Sequence, residues 1–268
     1  MKLDRWWQAL GLLAVLTAFM AGSQAAFPFH PHPSTVPSKP PARPEKVIAL
    51  TFDDGPSPKY TPEILSLLTR YHAHATFFVL GSEVAQYPKI VTDIVRQGSA
   101  VANHGYTHVN FFRVGVGGVV SDMEKTAALL KKDHIPLTPF YRPPYGNSNR
   151  SLVDALGKKG IYTTLWSIDT RDWSSPGTSF ITKKVLANAF SGAIVLMHDS
   201  GGNRTQTVQA VAAILPVLEA EGYKFVTLPQ YVKDLGIKEP TKLPLPGQPE
   251  ARPTPSPVRQ KSTAGPWN

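Results

Sequence analysis

Two histidines four residues apart stand in the run His104-Gly105-Tyr106-Thr107-His108. A spacing of four puts both imidazoles on one side of a helical turn, close enough to share a metal ion. The ordinary alternative is a pair of half-buried histidines hydrogen-bonded to backbone. Asp53 and Asp54 close the apolar run Val47-Ile48-Ala49-Leu50-Thr51-Phe52. Adjacent acids are costly there unless positive charge lies nearby, although an aspartate before Gly55-Pro56 is also common turn chemistry. One aspartate with the histidine pair supplies two nitrogen ligands and one oxygen ligand, a set that suits zinc, cobalt or another divalent first-row ion. Three protein ligands leave positions open for water and a reactant, as catalysis requires.

Three more polar clusters follow apolar runs. In Arg142-Pro143-Pro144-Tyr145-Gly146 the prolines fix the backbone direction. Arg142 could pair with a carboxylate, and the Tyr145 amide could face an oxyanion. The alternative is a rigid loop with a surface arginine. In Asp169-Thr170-Arg171-Asp172-Trp173 a carboxylate beside a large aromatic can orient a histidine while the ring shapes a pocket; the alternative is a polar turn. Leu196-Met197-His198-Asp199 ends a further run, and a single histidine at such a place is more often structural than catalytic.

The elements that must position these clusters alternate. Strand-like runs at 47–52, 75–80, 100–102, 161–166, 193–197 and 224–226 are separated by helical patterns at 61–71, 89–97, 119–132, 152–159, 182–188, 205–221 and 231–235. Near-continuous apolar strands alternating with helices predict a parallel sheet covered by helices. At this length closure into an α/β barrel is expected, with a doubly wound open sheet as the alternative. In either architecture the reactive residues gather beyond the C-terminal ends of the strands, which is where every cluster above falls.

Read in order, Thr51-Phe52-Asp53-Asp54-Gly55-Pro56, His104-x-x-x-His108, Arg142-Pro143-Pro144-Tyr145-Gly146, Asp169-x-x-Asp172-Trp173 and Leu196-x-His198 resemble the five signature motifs of the polysaccharide deacetylases, the NodB-homology family of carbohydrate esterases (family 4). The resemblance runs from Val47 to Leu228. It implies a distorted (β/α) barrel of about seven repeats. It also implies roles: Asp53 as catalytic base, Asp54, His104 and His108 as ligands of one divalent ion (zinc first), and Arg142 holding Asp53. The Tyr145 backbone N–H would bind the oxyanion. His198 would be the general acid tuned by Asp172, with Trp173 and Leu196 lining the acetyl pocket. One position departs from the pattern: the family commonly has Ser or Thr after the first metal histidine, and here Gly105 stands there.

The implied activity is hydrolysis of the N-acetyl group of N-acetylglucosamine in a polymer, peptidoglycan first. Chitin or another poly-N-acetylglucosamine, or the O-acetyl groups of acetylxylan, are the rivals. Two further readings are a silent wall-binding module and a metal-free glycosidase working with paired carboxylates such as Asp53 and Asp172.

Bulk properties set the remaining bounds. The 268 residues carry a net charge of +9 and no cysteine. Disulfides, thiolate metal sites and cysteine nucleophiles are therefore excluded. The basic residues form only short pairs with no nucleic-acid motif, so a nucleic-acid partner is not expected, and the protein reads as a monomer. Residues 1–25 have basic Lys2 and Arg5, an uncharged run from Ala9 to Gly22 and small residues at Ser23 and Ala25, the pattern of a cleaved signal peptide. Left uncleaved, the segment would anchor the chain in a membrane, its only membrane contact. The chain is expected to be secreted or wall-associated. Proline-rich residues 26–45 and 239–268 read as a linker and a disordered tail around a catalytic domain at 46–238.

Overall fold

The computed structural model describes residues 46–238 and 242–243. The leader and linker expected at 1–45 lie outside the described residues. Among the described residues no helix is long and apolar enough to cross a membrane.

The chain alternates as expected: β1 (Lys46–Asp53), α1 (Tyr60–Arg70), β2 (Thr76–Val79), α2 (Gly81–Gln86), α3 (Pro88–Arg96), β3 (Ala100–Asn103), α4 (Phe111–Lys132), β4 (Phe140–Tyr141), α5 (Arg150–Lys158), β5 (Tyr162–Thr164), β6 (Ile168–Asp169), α6 (Thr178–Leu186), β7 (Ala193–His198), α7 (Thr205–Ala220), β8 (Tyr223–Phe225), α8 (Leu228–Asp234) and β9 (Lys242–Leu243). One-turn 3-10 helices lie at Pro144–Gly146 and Asp172–Ser174. Every strand pair is parallel. The strand order is β6-β7-β1-β2-β3-β4-β5-β9, with β8 beside the start of β1. Only residues 165–167 separate β5 from β6, near opposite ends of that path. The sheet must therefore curl until its ends approach, a distorted (β/α) barrel.

Side chains of β1 alternate between two cores. Ile48, Leu50 and Phe52 pack outward beneath the helices with Ile64, Leu68, Val195 and Ile214. Val47 and Ala49 point inward and meet Phe78, Ala102, Phe140, Tyr162 and the α8 residues Leu228 and Tyr231. Thr51 and Asp53 continue the inward line, so the interior is apolar at the N-terminal end of β1 and polar at its C-terminal end.

Three expectations need correction. The run 161–166, read as one strand, is β5 followed by a crossing: the Leu165 N–H bonds Leu243 O and the Ser167 N–H bonds Ile194 O, on opposite edges. The helix expected from Val119 begins at Phe111, where the Asn110 side chain caps the Phe112 N–H at 2.9 Å. Gly115, Gly117 and Gly118 hid this extension because glycine is a poor helix former, and Gly115 breaks the helix at φ 64°. The tail expected from residue 239 returns to the fold at Lys242–Leu243, which pairs with β5 and buries Leu243 completely.

Candidate metal and hydrolytic site

Strand register builds the site. Asp53 pairs with His198 across β1 and β7, and Asn103 pairs with Tyr141 across β3 and β4. Residues one step past the second pair, His104 and Arg142, are therefore neighbours. The Arg142 N–H bonds Asn103 O at 3.1 Å, and His104 Nδ1 lies 2.7 Å from Arg142 O. That contact makes Nδ1 the donor and leaves the lone pair of Nε2 facing the cleft, the usual arrangement behind a metal-binding imidazole. Burial and the neighbouring His108 pull the pKa of His104 down to about 3, so the ring is neutral, as a ligand must be.

Asp54 Oδ1 lies 3.5 Å from His104 Nε2 and 3.4 Å from His108 Nε2. Two ligands ~2.1 Å from one tetrahedral ion sit ~3.4 Å apart. Candidate ligand atoms from Asp54, His104 and His108 all fall within 4.8 Å of one another, the one such group among the described residues. Asp54 Oδ1 is buried with no hydrogen-bond partner, a costly state for a carboxylate oxygen that a cation would relieve. The three residues fit a divalent ion. The spacing of four works here without a helix: residues 104–110 form a loop, with Gly105 at φ 85° and His108 at φ 57°.

Asp53 points the other way. Its Oδ1 accepts from Arg142 Nη1 at 2.6 Å, and its Oδ2 stays 3.8 Å from His104 Nε2. Burial raises its pKa against the lowering pull of Arg142. Arg142 itself is wholly buried, not a surface residue. It also donates to Thr51 Oγ1 and to the carbonyls of Thr164 and Leu165, and its guanidinium stacks 4.1 Å from the centre of the Phe78 ring. Tyr145 sits at φ 61° with its ring T-shaped to that of His108, centroids 4.5 Å apart. Asp54, His108 and Tyr145, all non-glycine, thus hold left-handed backbone around one cleft, and such strain concentrates at functional sites.

On the opposite wall His198 Nδ1 lies 2.8 Å from Asp172 Oδ1. Asp172 Oδ2 accepts the His198 N–H and the Thr207 hydroxyl, each at 2.8 Å. Burial disfavours a charged His198, but the Asp172 carboxylate outweighs it and raises the pKa to about 9. The same pairing holds Asp172 below its ordinary value despite burial. His198 is therefore an imidazolium at neutral pH with Nε2 left for a partner. Trp173, Leu196 and Trp166 line the cleft. Asp169 takes the bland alternative: its Oδ1 accepts the Arg171 N–H at 2.9 Å in its own turn.

The family follows from this arrangement and from likeness to known proteins. The polysaccharide deacetylase family matches residues 41–164. A peptidoglycan-N-acetylglucosamine deacetylase of Bacillus cereus is 40% identical over 191 residues, 70% of this chain and 89% of that protein. The chain is a polysaccharide deacetylase. A chitooligosaccharide deacetylase of Bradyrhizobium is 37% identical over 68% of this chain and 89% of that protein. The structure of the peptidoglycan deacetylase PdaC from Bacillus subtilis superposes with a TM-score of 0.66 at 34% identity, covering 72% of this chain and 92% of that one. This enzyme is an amide-acting hydrolase of a metal-dependent family.

Several residues of the deacetylase site escaped the sequence reading. Asp122 and Thr207 each sit on the buried stripe of a helix, among Val119, Met123, Thr126 and Leu130 in α4 and Ala210, Val211 and Ile214 in α7. A polar residue on such a stripe was the available signal for both. Arg204 is buried and donates to the carbonyls of Asp172, Ser200 and Gly201, tying the two loops around His198. Nothing local marks it, because its partners are backbone atoms.

The His198–Asp172 pair predicts a pH effect. The folded pKa of His198 is raised above its unfolded value of ~6.5, so its stabilising contribution is complete below that value and disappears as pH rises through about 9. Asp172→Asn should move the alkaline limb of the kcat/KM profile from near the folded pKa toward the ordinary histidine range, so activity falls further at pH 8 than at pH 6. An unchanged alkaline limb would show that His198 is not the titrating acid.

Proposed function

We propose that the chain removes the N-acetyl group from N-acetylglucosamine residues of a polymer, peptidoglycan first, releasing acetate and leaving a free amine. The observation that carries this reading is convergence. A three-ligand set, an arginine-clamped carboxylate and a carboxylate-backed imidazolium face one cleft. Asp54, His104 and His108 hold one divalent ion. Two nitrogens, one oxygen and room for water suit zinc, and cobalt or another first-row ion uses the same donors. Once bound, such an ion polarises the acetyl carbonyl and acidifies the adjacent water.

Asp53, held in orientation by Arg142, takes a proton from the attacking water. The Tyr145 amide donates to the developing oxyanion. His198 gives its Nε2 proton to the departing nitrogen, so one water is consumed and the C–N bond breaks to amine and acetic acid. Trp173 and Leu196 receive the acetyl methyl. Asp53 and Asp54, adjacent in sequence, therefore do different work.

The relative from Bacillus cereus supports peptidoglycan as the polymer. The relative from Bradyrhizobium favours a second reading, chitin oligomers. The net charge of +9 suits anionic wall polymers. The basic, apolar pattern of residues 1–25 supports a secreted or wall-associated location.

Acetate release decides the substrate. Peptidoglycan, chitin oligomers and acetylxylan are incubated with the enzyme, with and without chelator, and reducing ends are counted in parallel. The expected result is fastest acetate release from peptidoglycan, loss with chelator, recovery with zinc and no new reducing ends. Faster release from chitin oligomers moves the assignment to the second reading, and reducing ends without acetate sink the deacetylase reading.

A further inference from the structure

The loop carrying His104 and His108 has no regular structure of its own, so something must hold it. Two elements do. The carbonyls of Gly105 and Tyr106 accept from the N–H groups of Gly81 and Ser82, at the start of α2, at 3.0 and 3.1 Å. The loop's N–H groups turn the other way, toward Asp122 of α4. Asp122 Oδ2 accepts from the N–H groups of Tyr106 at 2.7 Å and Thr107 at 3.2 Å, and its Oδ1 accepts the Thr107 hydroxyl at 2.8 Å. The carboxylate is 4% exposed. The Gly105 N–H completes the set on Asn103 Oδ1 at 2.8 Å, and Asn103 Nδ2 is anchored on Met123 O at 3.0 Å, one residue past Asp122.

The same carboxylate explains the residue that departs from the family pattern. A Cβ built on Gly105 would lie 2.6 Å from Asp122 Oδ2, and the backbone there has φ 85°. A side chain at 105 and the carboxylate of 122 compete for one volume.

We propose that Asp122 is a positioning residue for the metal site. Its carboxylate fixes the 105–107 backbone so that Nε2 of His104 and of His108 converge with Asp54, and Gly105 is glycine because that carboxylate occupies its side-chain space. The inference rests on the reading of Asp54, His104 and His108 as ligands. Groups that hydrogen-bond a ligand directly typically change metal affinity 10–100-fold; Asp122 touches no ligand atom and acts through the backbone between the two histidines, with an effect expected to be of the same order.

Zinc titration of the chelator-stripped full chain by calorimetry tests this, with thermal unfolding of the apo proteins measured alongside. Asp122→Ala should weaken zinc binding roughly 10–100-fold. Asp122→Asn keeps one acceptor oxygen and should fall between it and wild type; it also serves if the alanine variant does not fold. Gly105→Ala should weaken binding in the wild-type background and less beside Asp122→Ala, because the shared volume is then vacant while the backbone strain at φ 85° remains in both. That non-additivity is what a shared site requires. Wild-type zinc affinity in both Asp122 variants, with a lowered apo unfolding temperature, would make Asp122 a plain structural residue and overturn the proposal. Strictly additive effects at 105 and 122 would overturn its second half. His108→Ala separates the two levels: if that variant binds zinc as wild type does, the ligand assignment itself has failed.

Discussion

Arg142→Ala is expected to destabilise the fold by about 3–5 kcal/mol and to abolish deacetylation, because it leaves the buried Asp53 carboxylate without its partner. Arg142 has no solvent exposure, and its guanidinium donates to Asp53 and Thr51 on β1 and to the backbone of Thr164 and Leu165 beyond β5. It therefore joins the central strand to the segment where the sheet ends approach. For a domain of this size the loss corresponds to roughly 6–20 °C in unfolding temperature. Arg142→Lys should rescue little, since a single ammonium cannot reproduce a planar fork directed at four acceptors. Denaturant and thermal unfolding measure the effect. Wild-type stability in Arg142→Ala would mean that Asp53 finds water or another partner there.

Asp53→Asn and Asp54→Asn should part company. Asp53→Asn is nearly isosteric and leaves the three ligands in place, so zinc binding should persist while the rate falls by about 10²–10⁴-fold, the usual contribution of a positioned base. Asp54→Asn removes the one anionic ligand, so zinc affinity and rate should fall together. The geometry is what separates them: Asp53 Oδ1 is committed to Arg142, whereas Asp54 Oδ1 faces both imidazoles without a hydrogen bond. Calorimetric zinc titration with acetate release on each variant is the check. Loss of zinc in Asp53→Asn to the same extent would merge the two roles and refute the assignment.

Much of the site was legible because its residues are punctuation. Asp53, His104, Arg142 and His198 each follow an apolar run, and in a parallel barrel the C-terminal strand ends must meet at one face. The alternation also predicted the parallel sheet and its helical cover. What was legible in position was not always legible in cause. The four-residue spacing of His104 and His108 suggested a helical turn, but a loop with two left-handed residues brings the rings together.

The residues that escaped notice each have a partner remote in sequence. Asp122 acts on residues 106 and 107 and Thr207 on Asp172, while Arg204 joins the distant Asp172 carbonyl to the nearby carbonyls of Ser200 and Gly201. Lys242–Leu243 is a strand only because the β5 edge is there to receive it; its two residues carry no periodicity to read.

The chain's local pattern was thus sufficient for most of the alternation of strands and helices, the face on which chemistry gathers and the family, because periodicity and strand-end residues are properties of neighbours in sequence; the short β4, β6, β9 and α2 escaped it. Tertiary structure supplied the geometry behind the roles that the motifs implied for two adjacent aspartates: Asp54 faces both imidazoles and Asp53 faces Arg142. It decided that Arg142 is a buried brace and not a surface cation, and that Gly105 answers to a carboxylate seventeen positions away in α4. Those outcomes depend on strand register and on volumes shared between distant segments, and neither exists until the sheet has curled and closed.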